Sequence, residues 1–352
     1  MFDDIYRGKN VLVTGHNGFK GTWLSLWLSR LGADITGISL PPEQPDNHLD
    51  LLKLDIKNYH QDVRDPDGIK RLFKKASPEI VFHLAAQPLV RSSYEDPLKT
   101  WSTNVMGTAN VLDACRDTPS VNAIVVVTSD KCYENKESLR GYKENDRLGG
   151  HDPYSASKAG TELVVSSYRN SFFNTPTAAT LATVRAGNVI GGGDQSKDRL
   201  IPDIVRSIIH KTLLKIRYPK ATRPWQHVLE PLSGYLMLGQ KLFEGDRRYA
   251  GAWNFGPDKS GNQTVEWVLK KTKEFWPAFE WQNSKKQQLH EANLLQLDSS
   301  KAKNDLGWNP VFTLEDALFE TMEWYRQWHV KSCVITNHQL DTYIKKCQLG
   351  EG

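Results

Sequence analysis

The chain has 352 residues, 39% of them hydrophobic and 24% charged, with a formal net charge of +4. That length can bury a sizeable core divided between two lobes, and the small, scattered charge gives no reason to expect nucleic acid or an anionic membrane as a partner. No run reaches the roughly 18–20 apolar residues of a transmembrane helix, MFDDIYRGKN lacks the apolar centre of a signal peptide, and the four cysteines lack metal-ligand spacing. The expectation is a cytoplasmic protein with reduced thiols and no metal.

In chain order, NVLVTG reads as a strand, HNGFKG as a glycine-rich turn and TWLSLWLSRLG as an apolar helix closed by Gly32. ADITGISL reads as a second strand. After a polar stretch, DPDGIKRLFKKA carries the early acid and late bases of a helix. PEIVFHLAA is a third strand, 104–116 a third helix and NAIVVVTSD a fourth strand, followed by a loop and a helix from Pro153. Strands alternating with helices predict a doubly wound α/β parallel sheet, and the runs VLV, IVF and IVVV suit its central strands. After Asn188 the alternation weakens and the composition turns to Trp, Lys and Gln. The expected division is a dinucleotide-binding domain over 1–187, receiving elements from about 228–258, and a smaller, interleaved α/β substrate lobe over 188–352.

The turn Gly15-His16-Asn17-Gly18-Phe19-Lys20-Gly21 places glycines at every third position between the first strand and the first helix. Such glycines let the backbone approach a pyrophosphate and aim amide N–H groups at it, although the same pattern also serves a plain tight turn. Downstream, Tyr154-Ser155-Ala156-Ser157-Lys158 puts a tyrosine and a lysine four apart, on one face of a helix. An ammonium there would favour the phenolate and lower the tyrosine pKa, yielding a usable base.

GxxGxxG together with YxxxK resembles the extended short-chain dehydrogenase/reductase family. The resemblance extends to HLAA (His83 to Ala86), Asp62-Val63, and Thr103-Asn104 with Gly107-Thr108. It implies a Rossmann fold, NAD as cofactor, a nucleotide-sugar substrate and a homodimer pairing the helices that carry Asn104 and Tyr154. The cofactor contacts it implies are the 15–21 turn, Ser39, Asp62, Val63, Leu84, Ala85, Ala86, Asn104, Tyr154 and Lys158. One departure stands out: the second strand ends Gly-Ile-Ser-Leu, where the family commonly has a carboxylate for the adenine ribose. His16 and Lys20 also replace small or apolar residues, so weakened NAD binding or admission of NADP follows as an expectation.

VVVTSDKCY (125–133) ends a strand on the side where doubly wound sheets bind ligands. By the resemblance, Ser129 hydrogen-bonds the reacting hydroxyl. The acid and base after it are surplus to simple redox chemistry, but water elimination from a hexose uses both. Nucleotide-sugar 4,6-dehydratases place an acid and a base there, so Asp130 would protonate the C6 oxygen and Lys131 would take the C5 proton. A lysine base requires a pKa depressed by burial or by neighbouring positive charge. Asp-Lys in place of the commoner Asp-Glu resembles the CDP-glucose 4,6-dehydratases and also a set of C5-inverting UDP-N-acetylglucosamine dehydratases. A 4-epimerase and a nucleotide-sensing binding protein stay open as alternatives. Further along, the resemblance implies substrate contacts at Arg91, Asn188, Leu200 and Arg223, the last gripping a phosphate through its planar fork. The residues themselves do not name the nucleobase.

Overall fold

The computed structural model describes residues 2–42, 46–138, 140–284 and 294–349. The first half runs β1 (Asn10–Thr14), α1 (Phe19–Arg30), β2 (Asp34–Ser39), α2 (His48–Leu52), β3 (Lys57–His60), α3 (Pro66–Ala76), β4 (Ile80–His83), α4 (Val90–Glu95), α5 (Pro97–Trp101), α6 (Gly107–Arg116), β5 (Ala123–Val127), α7 (Pro153–Ser171) and β6 (Thr180–Ala186). The second half runs β7 (Asn188–Ile190), α8 (Leu200–Ile209), β8 (Leu214–Ile216), β9 (Thr222–His227), α9 (Leu229–Phe243), β10 (Gly251–Phe255), β11 (Asn262–Thr264), α10 (Val265–Phe275), β12 (Trp281–Asn283), α11 (Ser300–Leu306), α12 (Leu314–Lys331) and α13 (Thr336–Leu349).

Seven strands form one parallel sheet in the order β10-β6-β5-β4-β1-β2-β3. Its residues alternate between two cores, as the two-residue period of a strand requires. Val11, Val13, Val125 and Val127 face a core shared with α1 and α9, through Trp23, Trp27 and Tyr235. Leu12, Ile124 and Val126 face another, shared with α3, α6 and α7 through Phe73, Leu112 and Val165. The sheet is therefore doubly wound, with the chain order reversing between β1 and β4, where such sheets open a ligand crevice. β10 joins its edge beside β6, so the chain returns to this sheet after leaving it. Two small sheets, β11-β9-β7 and β12-β8, stand apart from it, and residues of β7, β8, β9 and α8 share a cavity with the carboxyl end of β5.

β3 and the third helix are among the elements that differ from the sequence reading. β3 lies in what reads as a polar stretch: Lys57, Asn58 and His60 are exposed and Tyr59 half-buried, because an edge strand needs only one paired side and no apolar run. The third helix starts earlier: α5 runs through a π-helical stretch (Ser102–Met106) into α6. Asn104 sits in that stretch, and π-bulges recur at functional positions. Among the described residues no helix is long and apolar enough to cross a membrane, and no cluster of potential metal ligands occurs.

Candidate active site

The glycine turn is built for close backbone approach. Gly15 has φ of +71°, and a Cβ on it would stand 2.8 Å from the Ala85 amide nitrogen. A Cβ on Gly21 would stand 2.0 Å from the Gly15 carbonyl oxygen. α1 begins after Gly18 without a side-chain cap, so its first amides are left for an anion, helped by the helix dipole. Asn17 Nδ2 donates to the Leu40 carbonyl at 2.8 Å, tying the turn to the end of β2. There Ser39 Oγ is buried with no hydrogen bond among the described residues. A cradle that admits no side chain, beside an unpaired buried hydroxyl, fits a dinucleotide.

His16 is buried, its ring against Gly37, where a Cβ would meet it at 2.4 Å. Burial pushes its pKa down. Lys20 points into the central cavity. Burial, then the Arg199 and Lys158 charges, lower its pKa to about 7, against the pull of Asp130. Asp62 is held by Arg64, whose Nε donates to it at 2.9 Å, and Val63 packs beneath α6 opposite Gly107. Thr14 Oγ1 accepts from the amides of Leu84 and Ala85, each at 3.2 Å, and meets His83 Nδ1 at 2.6 Å. His83 Nε2 meets Thr108 Oγ1 at 3.0 Å, so this histidine is a satisfied core residue that sets the course of the Leu84-Ala85-Ala86 segment. Asn104 behaves likewise. Its Oδ1 accepts from the Gln87 amide at 2.7 Å and its Nδ2 donates to Ser157 Oγ at 2.8 Å. Its side chain braces the loop after β4 against α7.

A cavity of about 990 Å³ opens over the carboxyl ends of the strands. Ser129, Lys131, Tyr154, Lys20, Phe19, Arg91, Asn188, Leu200 and Arg223 line it, so the sheet and the second half of the chain share one site. Ser129 Oγ donates to Asp130 Oδ1 at 3.0 Å and accepts from the Lys131 amide at 3.2 Å. Asp130 is 1% exposed and its Oδ2 has no hydrogen bond among the described residues. Lys131 Nζ lies 3.6 Å from Asp130 Oδ1, with its side chain 31% exposed, so the expected burial of this lysine is partial.

Asp152 caps α7 by accepting from the Ser155 amide at 2.9 Å, with Pro153 in the first turn, which starts the helix where Tyr154 and Lys158 reach the site together. Lys158 Nζ donates to the Val127 carbonyl at 3.2 Å. Burial lowers its pKa to about 8, with the Glu162 charge opposing. The expectation that Lys158 makes Tyr154 more acidic is not met in the chain alone. Burial raises the phenol pKa to about 12, a hydrogen bond with Ser129 lowers it and the Asp130 charge raises it. A neutral Asp130 removes the last of these, so acid and tyrosine are electrostatically linked.

On the substrate side, Arg91 of α4 pairs with Asp198 at 3.3 Å, as does Arg217 at 3.2 Å. Asn188 Oδ1 is buried with no hydrogen bond among the described residues. Leu200 opens α8. Arg223 is 8% exposed and donates to the Thr222 carbonyl at 2.9 Å. The sequence reading omits Arg199, which lines the cavity and pairs with Asp194 at 3.0 Å. No local spacing marks it. It also omits Glu162, although eight residues after Tyr154 on the same helix is a legible spacing.

The family model described as GDP-mannose 4,6 dehydratase matches residues 12–321. The chain is 46% identical over 332 residues to the CDP-glucose 4,6-dehydratase of Salmonella typhimurium, covering 92% of each. It is 28% identical over 272 residues to the dTDP-D-glucose 4,6-dehydratase of Dictyostelium discoideum, covering 73% of this chain and 60% of that one. Among solved structures, the dTDP-glucose 4,6-dehydratase of Streptomyces venezuelae with NAD and TYD bound superposes with a TM-score of 0.76 at 23% identity, covering 90% of this chain and 97% of the other. The UDP-glucose 4-epimerase of Thermus thermophilus in complex with NAD gives 0.77 at 23% identity, covering 90% and 98%. These two show that the fold is shared.

Proposed function

Because the chain belongs to the GDP-mannose 4,6 dehydratase family, we propose that it is an NAD-dependent 4,6-dehydratase that converts CDP-glucose to CDP-4-keto-6-deoxyglucose. The observation that carries the base is the 46% identity over 92% of the chain with a CDP-glucose 4,6-dehydratase. For the reaction type it is the Ser129-Asp130-Lys131 turn, which lies where a strand end meets the cavity. A 4-epimerase needs neither Asp130 nor Lys131.

The turn from Gly15 to Gly21, Ser39 and the segment Leu84–Ala86 would hold NAD, with Asp62 toward the adenine. NAD supplies the two-electron oxidation at sugar C4 and the matching reduction at C6. Ser129 orients the C4 hydroxyl and Tyr154 takes its proton, with the hydrogen bond to Ser129 and the Arg199 charge favouring the phenolate. The C4 ketone makes the C5 proton acidic, and Lys131 removes it. Asp130 protonates the C6 oxygen, and water leaves. Lys131 Nζ and Asp130 Oδ1 lie 3.6 Å apart, so the C5 base and the C6 acid act from adjoining positions. Arg223 and Asn188 grip the diphosphate, beside Arg91 and Leu200.

We also infer a homodimer in which α5, the π-helical stretch and α7 pair with their copies. Leu98, Trp101 and Met106 from the first two and Leu163 from α7 are exposed apolar side chains on neighbouring helices. Mass spectrometry of the protein incubated with NAD and each nucleotide-glucose in turn tests the function. Loss of one water from CDP-glucose alone is expected. Water loss from another nucleotide-glucose would move the base, and an unchanged mass from all of them would overturn the reading.

A further inference from the structure

One buried ion pair stands directly behind the catalytic turn, and the mechanism above does not use it. Glu162 on α7 and Arg185 on β6 have side chains 4% and 3% exposed. Arg185 grips the carboxylate with both arms of its fork: Nε donates to Oε1 and Nη2 to Oε2, each at 2.8 Å. Two hydroxyls complete the carboxylate's shell, Thr128 Oγ1 to Oε1 at 2.5 Å and Thr183 Oγ1 to Oε2 at 2.8 Å. The third guanidinium nitrogen, Nη1, donates to the Tyr133 hydroxyl at 2.7 Å and to the Glu144 carbonyl at 3.0 Å. The guanidinium also lies over the Tyr133 ring, 4.9 Å from its centroid.

The partners of this pair occupy both ends of one short segment. Thr128 immediately precedes Ser129, and Tyr133 immediately follows Cys132, so Ser129, Asp130 and Lys131 lie between two anchors that meet at a single ion pair. Glu162 is also one helical turn beyond Lys158 and two beyond Tyr154 on α7, the same helical face. Tyr133 is held in turn, its hydroxyl donating to Asn254 Oδ1 of β10 at 2.7 Å. A buried ion pair is a weak source of net stability, because desolvation offsets the attraction and apolar residues of like volume often serve as well. Its saturation by four donors, with bidentate geometry, instead fixes relative positions closely.

We propose that Glu162 and Arg185 are positioning residues that clamp both ends of the Ser129–Lys131 turn against the helix carrying Tyr154 and Lys158, holding the C4 oxidation and the C5–C6 elimination in one register. The proposal rests on the 4,6-dehydratase reading. A turn released by even about 1 Å would cost elimination on the order of a hundredfold, while Tyr154 and the cofactor cradle, which stand on other elements, could still support oxidation.

The double variant Thr128→Val/Tyr133→Phe cuts both anchors and leaves the ion pair intact. With NAD and CDP-glucose, kcat for dehydration is expected to fall about a hundredfold with little change in KM. Reduced nicotinamide should accumulate during turnover, a signature that general loosening of the core would not produce. Glu162→Leu/Arg185→Met, which replaces the pair by apolar side chains, should stay folded and show the same accumulation. Wild-type kcat with no reduced nicotinamide in the first variant overturns the clamp. Hydrogen exchange over residues 129–133 decides the clamp without reference to activity: faster exchange in the first variant supports it and unchanged exchange overturns it. Wild-type protein assayed alongside separates the two ideas, since its own failure to dehydrate CDP-glucose counts against the function and leaves the exchange result standing.

Discussion

At the scale of single residues, Lys131 and Asp130 differ in what the fold does to them. Asp130 is buried, 1% exposed, whereas Lys131 lines the cavity with part of its side chain in water. Lys131→Ala removes the proposed C5 base and leaves Tyr154, Ser129 and Lys158 in place. Product formation is expected to fall about 10²–10⁴-fold, while reduced nicotinamide still forms on mixing with substrate. Normal product formation by this variant would remove Lys131 from the mechanism. Gly21 shows the opposite kind of constraint, because its φ is unremarkable and only space excludes a side chain. A methyl group 2.0 Å from the Gly15 carbonyl must push α1 away from the turn. Gly21→Ala should cost about 1–3 kcal/mol of stability and weaken NAD binding in a calorimetric titration. Wild-type affinity in a folded Gly21→Ala protein would show that the cradle is not the pyrophosphate site.

Between elements, the joint of α9 with the C-terminal helix is an acid buried without a base. Glu230 accepts from the amides of Val311 and Phe312, at 3.0 and 2.6 Å, and from the Tyr343 hydroxyl at 2.9 Å. Burial outweighs these bonds and raises its pKa to about 7. A carboxyl that holds its proton more tightly folded than unfolded stabilises the fold most at low pH. That contribution is present below the unfolded value near 4.5 and is lost as pH rises to about 7. Glu230→Gln has no such dependence. The melting temperature of the native chain should therefore decline relative to the variant between about pH 4.5 and pH 7, and a constant difference would show that Glu230 titrates normally. The same joint brings Tyr343 edge-on to Trp27, ring centroids 5.7 Å apart, so a loosened α13 is felt by α1, whose first turn forms the cofactor cradle.

For the whole molecule, the division of labour follows from the parallel sheet. All its strand ends point one way, so Gly15, Ala85, Ser129 and Asn188, far apart in the chain, open toward one crevice. The second half of the chain covers that crevice and supplies Arg223, Arg199 and Leu200 from above. On the other side, the exposed Leu98, Trp101, Met106 and Leu163 form the proposed self-association face. Leu163→Glu places a charge on this face at a residue that does not line the cavity. Light scattering should find wild-type dimers and Leu163→Glu monomers. A monomeric wild type would overturn the homodimer, and a dimeric variant would move its interface elsewhere.

The features legible in the sequence are those whose cause is local. The glycine spacing, the four-residue interval between Tyr154 and Lys158 and the apolar runs of the central strands each follow from one element's own period, and the fold class follows from their alternation. The polar end of VVVTSDKCY is legible for the same reason, since a buried strand has no local need for three ionisable or hydroxyl groups in succession. What only the tertiary structure decided is which distant groups meet and how much water each retains. β3 exists because β2 offers it an edge. Asn104 and His83 are spent on bracing loops because burial demands that their polar atoms be paired. Tyr154 is a weaker acid than its spacing from Lys158 suggests, because the cavity wall removes it from water. Lys20 joins the catalytic charges because the turn after β1 and the turn after β5 open on one cavity. The partner of Glu162 is 23 residues away on another element, and no period in the chain announces it. Propensity and periodicity act over a few residues, whereas desolvation and long-range pairing are set only once the sheet has closed.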